Sequence, residues 1–330
     1  MKLNKEKKIY WLILGLALLM PSYLHSQQIP LYSQYTFNGF LINPAIAGSE
    51  GYTALNLTAR EQWLGIPNSP KTHAVSIQTR MLRDSYIGRS LKIKKRMQIA
   101  SRSGRVGLGG YVYNDMSGLI IRTGFQLTYA YHIRMKESQL SLGVSVNAYE
   151  FRINRQAIVT GEEDDPLILE TKFNTFVPDA NFGVYYVNKY FYAGASVSDM
   201  MQAALKLSGP ATTQYKLMRH YFLMAGYKAP VADNFTLEPS FLLKASQNGA
   251  VQLDIGSKVY YKEDYWAGMA YRTGNALIFM LGMKVDKYYF GYAFDYSLSH
   301  IMSRTFGTHE FMVAAKFGDN ARRYRWLNRF

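Results

Sequence analysis

The chain has no cysteine among its 330 residues. This excludes a disulfide-stapled fold, thiol chemistry, zinc ribbons and a lipid anchor on an N-terminal cysteine. Beyond its first twenty residues the chain also lacks an apolar run approaching the ~20 residues that a spanning helix needs. Histidine is sparse: His25, His73, His132, His220, His300 and His309 are all there is, and no two past His25 stand at metal-ligand spacing. Serines such as Ser196 and Ser198 sit in alternating stretches without a nucleophile elbow. Val106-Gly107-Leu108-Gly109-Gly110 superficially resembles a phosphate loop, but no Lys-Ser/Thr follows, and glycines there suit close backbone approach or bending of a strand. The acidic run Gly161-Glu162-Glu163-Asp164-Asp165 lacks the ligand spacing of an EF-hand and reads as a solvated loop tip. No enzyme, cofactor or metal centre is expected.

What the chain has in plenty is aromatic side chains, 27 Tyr and 18 Phe, arranged with period two. In Ala276–Tyr296, Leu277, Phe279, Leu281, Met283 and Val285 share one face, with Met280, Gly282, Lys284 and Asp286 on the other. After Asp286-Lys287, Tyr288, Phe290, Tyr292, Phe294 and Tyr296 alternate with Gly291, Ala293 and Asp295. Two such strands joined by a tight turn make a hairpin. A soluble sandwich would hide the large apolar face in a core, whereas a membrane barrel turns it to lipid and keeps small and polar residues inside.

The amino end supplies an address. Lys2, Lys5, Lys7 and Lys8 precede an apolar stretch from Ile9 to Met20, then Pro21, with a plausible cleavage point between Ser26 and Gln27. This pattern is a secretory signal peptide, residues 1–26. Removing its four lysines and one glutamate lowers the formal charge from +15 to +12. The remaining excess suits anionic lipid or an acidic partner, and export excludes nucleic acid. Much of it is local. Between Leu82 and Arg105, Arg83, Arg89, Lys92, Lys94, Lys95, Arg96, Arg102 and Arg105 face one acid, Asp84. Such a run is either a solvated charge cluster or a docking surface.

Residues 27–51 do not alternate, yet Tyr32, Tyr35, Phe37 and Phe40 make them too aromatic for a free tail. They are expected to pack, as an ordered arm on the domain or as a plug in a lumen. From Tyr52 to Phe317 fourteen candidate strands follow, with thirteen to sixteen as the range, and no linker divides them. The expectation is an all-β, single transmembrane antiparallel barrel over residues 52–317, with residues 318–330 as a C-terminal tail. Strands of ~10 residues fit a tilted membrane strand. An even number of strands, and long links such as Ile153–Pro178 alternating with short ones such as Asn188-Lys189, fit an outer-membrane barrel. On that orientation the basic 82–105 link falls on the periplasmic side. Glu238, Lys244, Asp254, Lys258, Arg272, Lys284 and Asp295 fall on polar faces, where an open pore and a salt-bridged, closed lumen would use the same residues.

Two stretches carry a family resemblance. Tyr32–Thr72 contains SQY-F-N, NPA-AG and R-QW-GI-P-T elements, and Trp266–Phe317 contains W-AG-YR, GYAFDY and GTHE. The chain thereby resembles the PorP/SprF family of outer-membrane proteins of the type IX secretion and gliding-motility apparatus. The resemblance implies a non-enzymatic barrel that assists export or surface anchoring of large adhesins with a type B C-terminal domain. It also admits periplasmic or peptidoglycan-linked machine components as partners. Its signature residues are Asn43, Pro44, Gly48, Arg60, Gln62, Trp63, Gly65, Arg272, Gly291, Asp295, Gly307, His309 and Glu310, expected to fix the N-terminal segment and the closing strand. Arg83, Arg89, Lys92, Lys94, Lys95, Arg96 and Arg102 are the candidate partner surface. The rival readings are a porin or small-solute transporter and a soluble exported β-domain.

Overall fold

The computed structural model describes residues 32–81, 104–153, 174–202, 204–206 and 214–317. The basic 82–103 stretch, the acidic 161–165 cluster, the signal peptide and the C-terminal tail lie outside the described residues. Strands run in chain order: β1 Thr53–Glu61, β2 Lys71–Met81, β3 Val106–Ser117, β4 Ile120–Arg134, β5 Ser138–Ile153, β6 Asn174–Asn188, β7 Phe191–Ser198, β8 Ala204–Lys206 and β9 Gln214–Lys216. They continue with β10 His220–Tyr227, β11 Ala229–Ala232, β12 Phe235–Ser246, β13 Val251–Tyr261, β14 Tyr265–Arg272, β15 Ala276–Val285, β16 Tyr288–Ser297 and β17 Thr308–Phe317. β8 and β9 form a separate small hairpin, and β11 continues β10 along the same side of β12. The other fourteen close into one antiparallel barrel, sealed where β1 pairs β17 along Thr53↔Phe317 to Glu61↔His309 and where β10 pairs β12. Closure leaves no free ladder along the seam, which is what a sheet in hydrocarbon requires.

Period two sets the two faces. Along β2, Thr72, Ala74, Ser76, Gln78 and Arg80 are buried, while Val75, Ile77 and Met81 are exposed. On β15 and β16, Ile278, Met280, Ala293 and Asp295 are buried, and Phe279, Leu281, Tyr288 and Phe290 face outward. Polar side chains inside and large apolar ones outside is the inverse of a soluble protein and matches a barrel immersed in lipid. No helix among the described residues is long and apolar enough to cross a membrane; the strands do the crossing.

One boundary differs from the sequence expectation. β6 begins at Asn174, not after Pro178, and Pro178 pairs with Ala148 of β5. The Ala180 carbonyl accepts from Met200, just past β7. Ladder groups alternate sides, so Pro178 points its missing N–H the same way, above Phe182↔Val197, where the β6–β7 pairing stops. Proline is tolerated in a strand at such an edge.

Candidate functional site

The interior of the barrel is occupied by its own chain. Residues 32–50 carry no strand; they fold into two short 3-10 turns, Gly39–Leu41 and Pro44–Ile46, and all but three are buried. They begin in the half of the lumen away from the strand termini and end beside β1. Three layers of contact hold them.

The first layer is a buried charge network. Glu310 of β17 accepts from the backbone N–H groups of Ser33 (2.8 Å) and Gln34 (2.9 Å) and pairs with Arg60 Nη1 of β1 (2.9 Å). Arg60 Nη2 reaches Asp295 of β16 (2.6 Å), which also pairs with Arg272 Nη1 of β14 (2.9 Å). Arg272 holds Asp254 of β13 through Nε and Nη2, and Lys244 of β12 approaches the same carboxylate at 3.2 Å. Ser33 Oγ sits in the middle, donating to Asp295 at 2.8 Å and accepting from Arg60. Three cations and three carboxylates, each nearly inaccessible to solvent, are thus closed into one neutral cluster by two residues of the lumen segment. Buried charge persists only when paired and hydrogen-bonded in this way.

The second layer is a glycine-lined seat. A β-carbon at Gly143 would overlap the Ala45 nitrogen and the Pro44 carbonyl carbon; one at Gly183 would overlap Asn43 Oδ1; one at Gly107 would overlap the Ala47 carbonyl. Gly109 lies under the Phe40 ring and Gly291 under the Gln34 amide. Only residues without a side chain let two backbones approach so closely. Asn43 fixes the register: its Oδ1 accepts from Ala45 N (2.9 Å), and its Nδ2 donates to the carbonyls of Val184 (2.9 Å) and Ala195 (3.3 Å). Pro44 opens the second 3-10 turn, where its missing N–H costs nothing. Gly143→Val should therefore expel this turn. It should cost roughly the 1–3 kcal/mol of an overpacked core or more, visible as new protease cleavage inside residues 39–50 of a barrel that still migrates as folded on an unheated gel.

The third layer is aromatic and lies nearer the termini. Phe37 stacks on Trp266 (centroids 5.1 Å) and meets Tyr289 edge-on (5.4 Å), and Lys316 lies over Tyr289 while pairing with Glu50 at 2.7 Å. At that end Gln139 donates to the Ser49 carbonyl (3.4 Å), takes a hydrogen bond from Arg80, and shares Ser141 with His132. Gly48, at φ 67°, donates to Gln78.

The family model described as type IX secretion system membrane protein PorP/SprF matches residues 24–315. The chain belongs to this family. Among curated proteins no match was found. Among solved structures, the chain is similar to the Ralstonia pickettii toluene transporter TbuX, with 11% identity, 84% of this chain and 91% of that one covered, and a TM-score of 0.44. The Acinetobacter baumannii outer membrane protein Omp33 follows at 6% identity, 81% and 99% coverage and 0.42. The Pseudomonas putida toluene transporter TodX follows at 10% identity, 85% and 92% coverage and 0.40. Likeness at this level carries no information on substrate. The PorP/SprF protein is an outer-membrane β-barrel.

The signature residues fall in two places. Asn43, Pro44, Gly48, Arg60, Arg272, Gly291, Asp295 and Glu310 all line the contact between lumen segment and wall. Trp63, Gly65, Gly307 and His309 lie instead at the rim far from the termini. There Leu64 and Phe306 lock the β1–β2 turn to the β16–β17 link through Leu64 N to Gly307 O (2.9 Å) and Phe306 N to Leu64 O (2.8 Å). Trp63 N donates to Thr308 Oγ1, Gly65 packs under Phe306 at φ 101°, and Gly307 has φ 86°. His309 bonds the Tyr292 hydroxyl at 2.8 Å on the outward face. Gln62 only bonds its backbone N–H to Pro70 and joins neither group. Arg83, Arg89, Lys92, Lys94, Lys95, Arg96 and Arg102 lie outside the described residues. Ser33, Gln34, Glu50, Gln139 and Lys316 belong to the site although alternation alone does not single them out. No group of His, Cys, Asp or Glu among the described residues is arranged to hold a metal.

Proposed function

We propose that this PorP/SprF protein is a non-enzymatic component of the type IX secretion and gliding machinery that assists export or surface anchoring of large adhesins bearing a type B C-terminal domain. The observation that carries the reading is the occupied lumen. Eight-stranded barrels are filled by wall side chains, whereas 16- to 18-stranded porins leave an aqueous channel. A fourteen-stranded wall would leave room for solutes, and here residues 32–50 take it up. A charge cluster that is neutral, buried and cross-linked offers no ring of unpaired charge to select ions. Support for the reading over a porin therefore comes from inside the barrel, and the partner surface lies elsewhere. On the side where β1 begins and β17 ends, the basic 82–105 link suits an acidic periplasmic or peptidoglycan-linked component or anionic lipid.

The test is mild detergent extraction from native outer membranes, followed by identification of what comes with the barrel. A stoichiometric surface adhesin or periplasmic machine protein is the expected result. A partner-free barrel conducting ions in a planar bilayer would replace this reading by the porin. Reversing Lys92, Lys94, Lys95 and Arg96 to Glu should reduce recovery of an acidic periplasmic partner about tenfold for each 1.4 kcal/mol lost, while an adhesin held from outside stays bound.

A further inference from the structure

The lumen segment has a direction, and the direction has a consequence. Followed from its first described residue, the segment starts deep on the side away from the strand termini. Tyr32 shares a cavity of about 80 Å³ with Tyr113, Arg122, Tyr149, Ser198 and Asp199. These wall residues stand at the ends of β3, β5 and β7 and at the beginning of β4, all at the rim opposite the termini. Ser33 and Gln34 are clamped to Glu310, the third residue of β17, and Ser33 to Asp295, near the end of β16, at the same level. Lower down, Thr36 meets Lys258 in mid-strand, and Phe37 meets Trp266 and Tyr289 at the other end of the wall. The chain then crosses the lumen through Asn43 and Ala45, and leaves past Ser49 and Glu50, beside Gln139 and Lys316, into β1. A second, smaller cavity, about 30 Å³, opens on this side among Thr36, Glu50, Lys228 and Glu238. The segment thus separates two cavities and passes from one to the other.

We propose that the segment is threaded from outside to inside, so that the chain upstream of Tyr32 leaves through the outer mouth. The protein then presents its amino end at the cell surface, whereas β17 ends on the periplasmic side. This rests on the outer-membrane orientation, in which both strand termini face the periplasm. A cut between Ser26 and Gln27 leaves five residues before Tyr32, which extended reach at most ~18 Å, enough to carry the amino end toward the rim from Tyr32. The segment cannot leave through the outer mouth as a detachable plug, because its periplasmic end is covalently continuous with β1. The Ser33–Glu310 and Arg60–Ser33 bonds tie the two strands that seal the seam, β17 and β1, to the segment.

The chain's lack of cysteine makes the test clean. Three single-cysteine variants, Gln28→Cys, Asn248→Cys in the turn between β12 and β13, and Lys287→Cys in the turn between β15 and β16, are expressed in the native host. Each is treated with a membrane-impermeant maleimide before and after the outer membrane is permeabilised. The expected result is that Gln28→Cys labels on intact cells to the same extent as Asn248→Cys, at least tenfold more than Lys287→Cys. Labelling of Gln28→Cys only after permeabilisation, with Asn248→Cys reactive throughout, overturns the proposal. If Asn248→Cys and Lys287→Cys exchange behaviour, the orientation itself is wrong and the proposal falls with it. An epitope inserted between Gln28 and Ile29 gives a readout independent of one thiol. Antibody binding to intact cells supports the threading, and binding confined to lysed cells overturns it.

Discussion

A barrel lacking residues 32–50 will conduct ions, and the intact chain will not. The segment supplies six of the thirteen buried apolar side chains of the largest interior cluster, Tyr35, Phe40, Ile42, Ala45, Ile46 and Ala47, and it separates the two cavities. Without it, the inward wall facing water would include Ser76, Gln78, Gln126, Thr128, Ser141, Ser145 and the glycines that now receive its backbone, beside apolar residues such as Tyr185, Phe222 and Leu242. The polar and small part of this wall can hold a water column. The ladder does not depend on the segment, since β1 pairs β17 and β10 pairs β12 through backbone bonds alone. The shortened chain should therefore still form a barrel, recognised by faster migration on an unheated gel, while melting lower than the intact protein. Purified into planar bilayers, it should give steady conductance steps. Silence from a barrel shown to be folded would mean that wall side chains close the lumen themselves, and the argument from occupancy would be lost. Conductance by the intact protein at a comparable level would return the porin reading.

How much of this was legible beforehand follows from the physics of each part. The fourteen strands could be read because alternation survives whatever surrounds it: Leu277 to Val285 must face one way and Met280 to Lys284 the other as soon as the segment is extended. Short turns such as Asp286-Lys287 set register locally. The inner fill was not legible in the same way. Residues 32–50 have no period, and their conformation is dictated by the space they enter. Whether they formed an arm outside or a plug inside depended on wall positions far along the chain, such as Gly143, Gly183 and Gly291. The charge network joins Arg60 to Glu310 across 250 residues, a distance that only barrel closure brings to 2.9 Å. Within it, one pair did have a local signature: Asp254 and Arg272 are directly opposed on neighbouring strands, β13 and β14, as opposite charges prefer. The family motifs pointed to Asn43, Arg60, Asp295 and Glu310 without saying what they touch. Ser33 and Gln34, inside the SQY element, were the missing counterparts. The start of β6 is hidden in the sequence because Pro178 reads as a strand breaker, whereas in the barrel the neighbouring β7 stops short of it.

The second large effect is expected at Arg60. Arg60→Ala removes the guanidinium that holds Asp295 at 2.6 Å and Glu310 at 2.9 Å, and all three groups are almost wholly buried. Deleting one member of a buried ion pair typically costs about 3–5 kcal/mol, because the other is left charged and unsolvated. Asp295 keeps Arg272, but Glu310 loses its only salt-bridge partner among the described residues while still accepting from Ser33 and Gln34. The comparison that isolates burial is Lys71→Ala, which breaks a bridge to Glu61 of 3.4 Å whose side chains are 38% and 37% exposed; exposed pairs are worth only about 0–1 kcal/mol. Thermal unfolding followed by gel mobility should therefore separate the two variants by several kcal/mol. Equal melting would mean that water reaches the cluster and the lumen is open after all. A double change distinguishes charge from packing. Arg60→Met with Glu310→Met removes both ends of one pair, and replacing a buried pair by apolar side chains is often neutral. Here rescue should be partial. The Ser33 and Gln34 N–H groups lose their acceptor once Met stands at 310, and each buried donor left alone costs about 1–3 kcal/mol. The double variant should thus melt above Arg60→Ala but below the parent, with new protease cleavage at the start of the lumen segment. Full rescue would place the anchoring of residues 33 and 34 elsewhere, in the aromatic layer around Phe37 and Trp266.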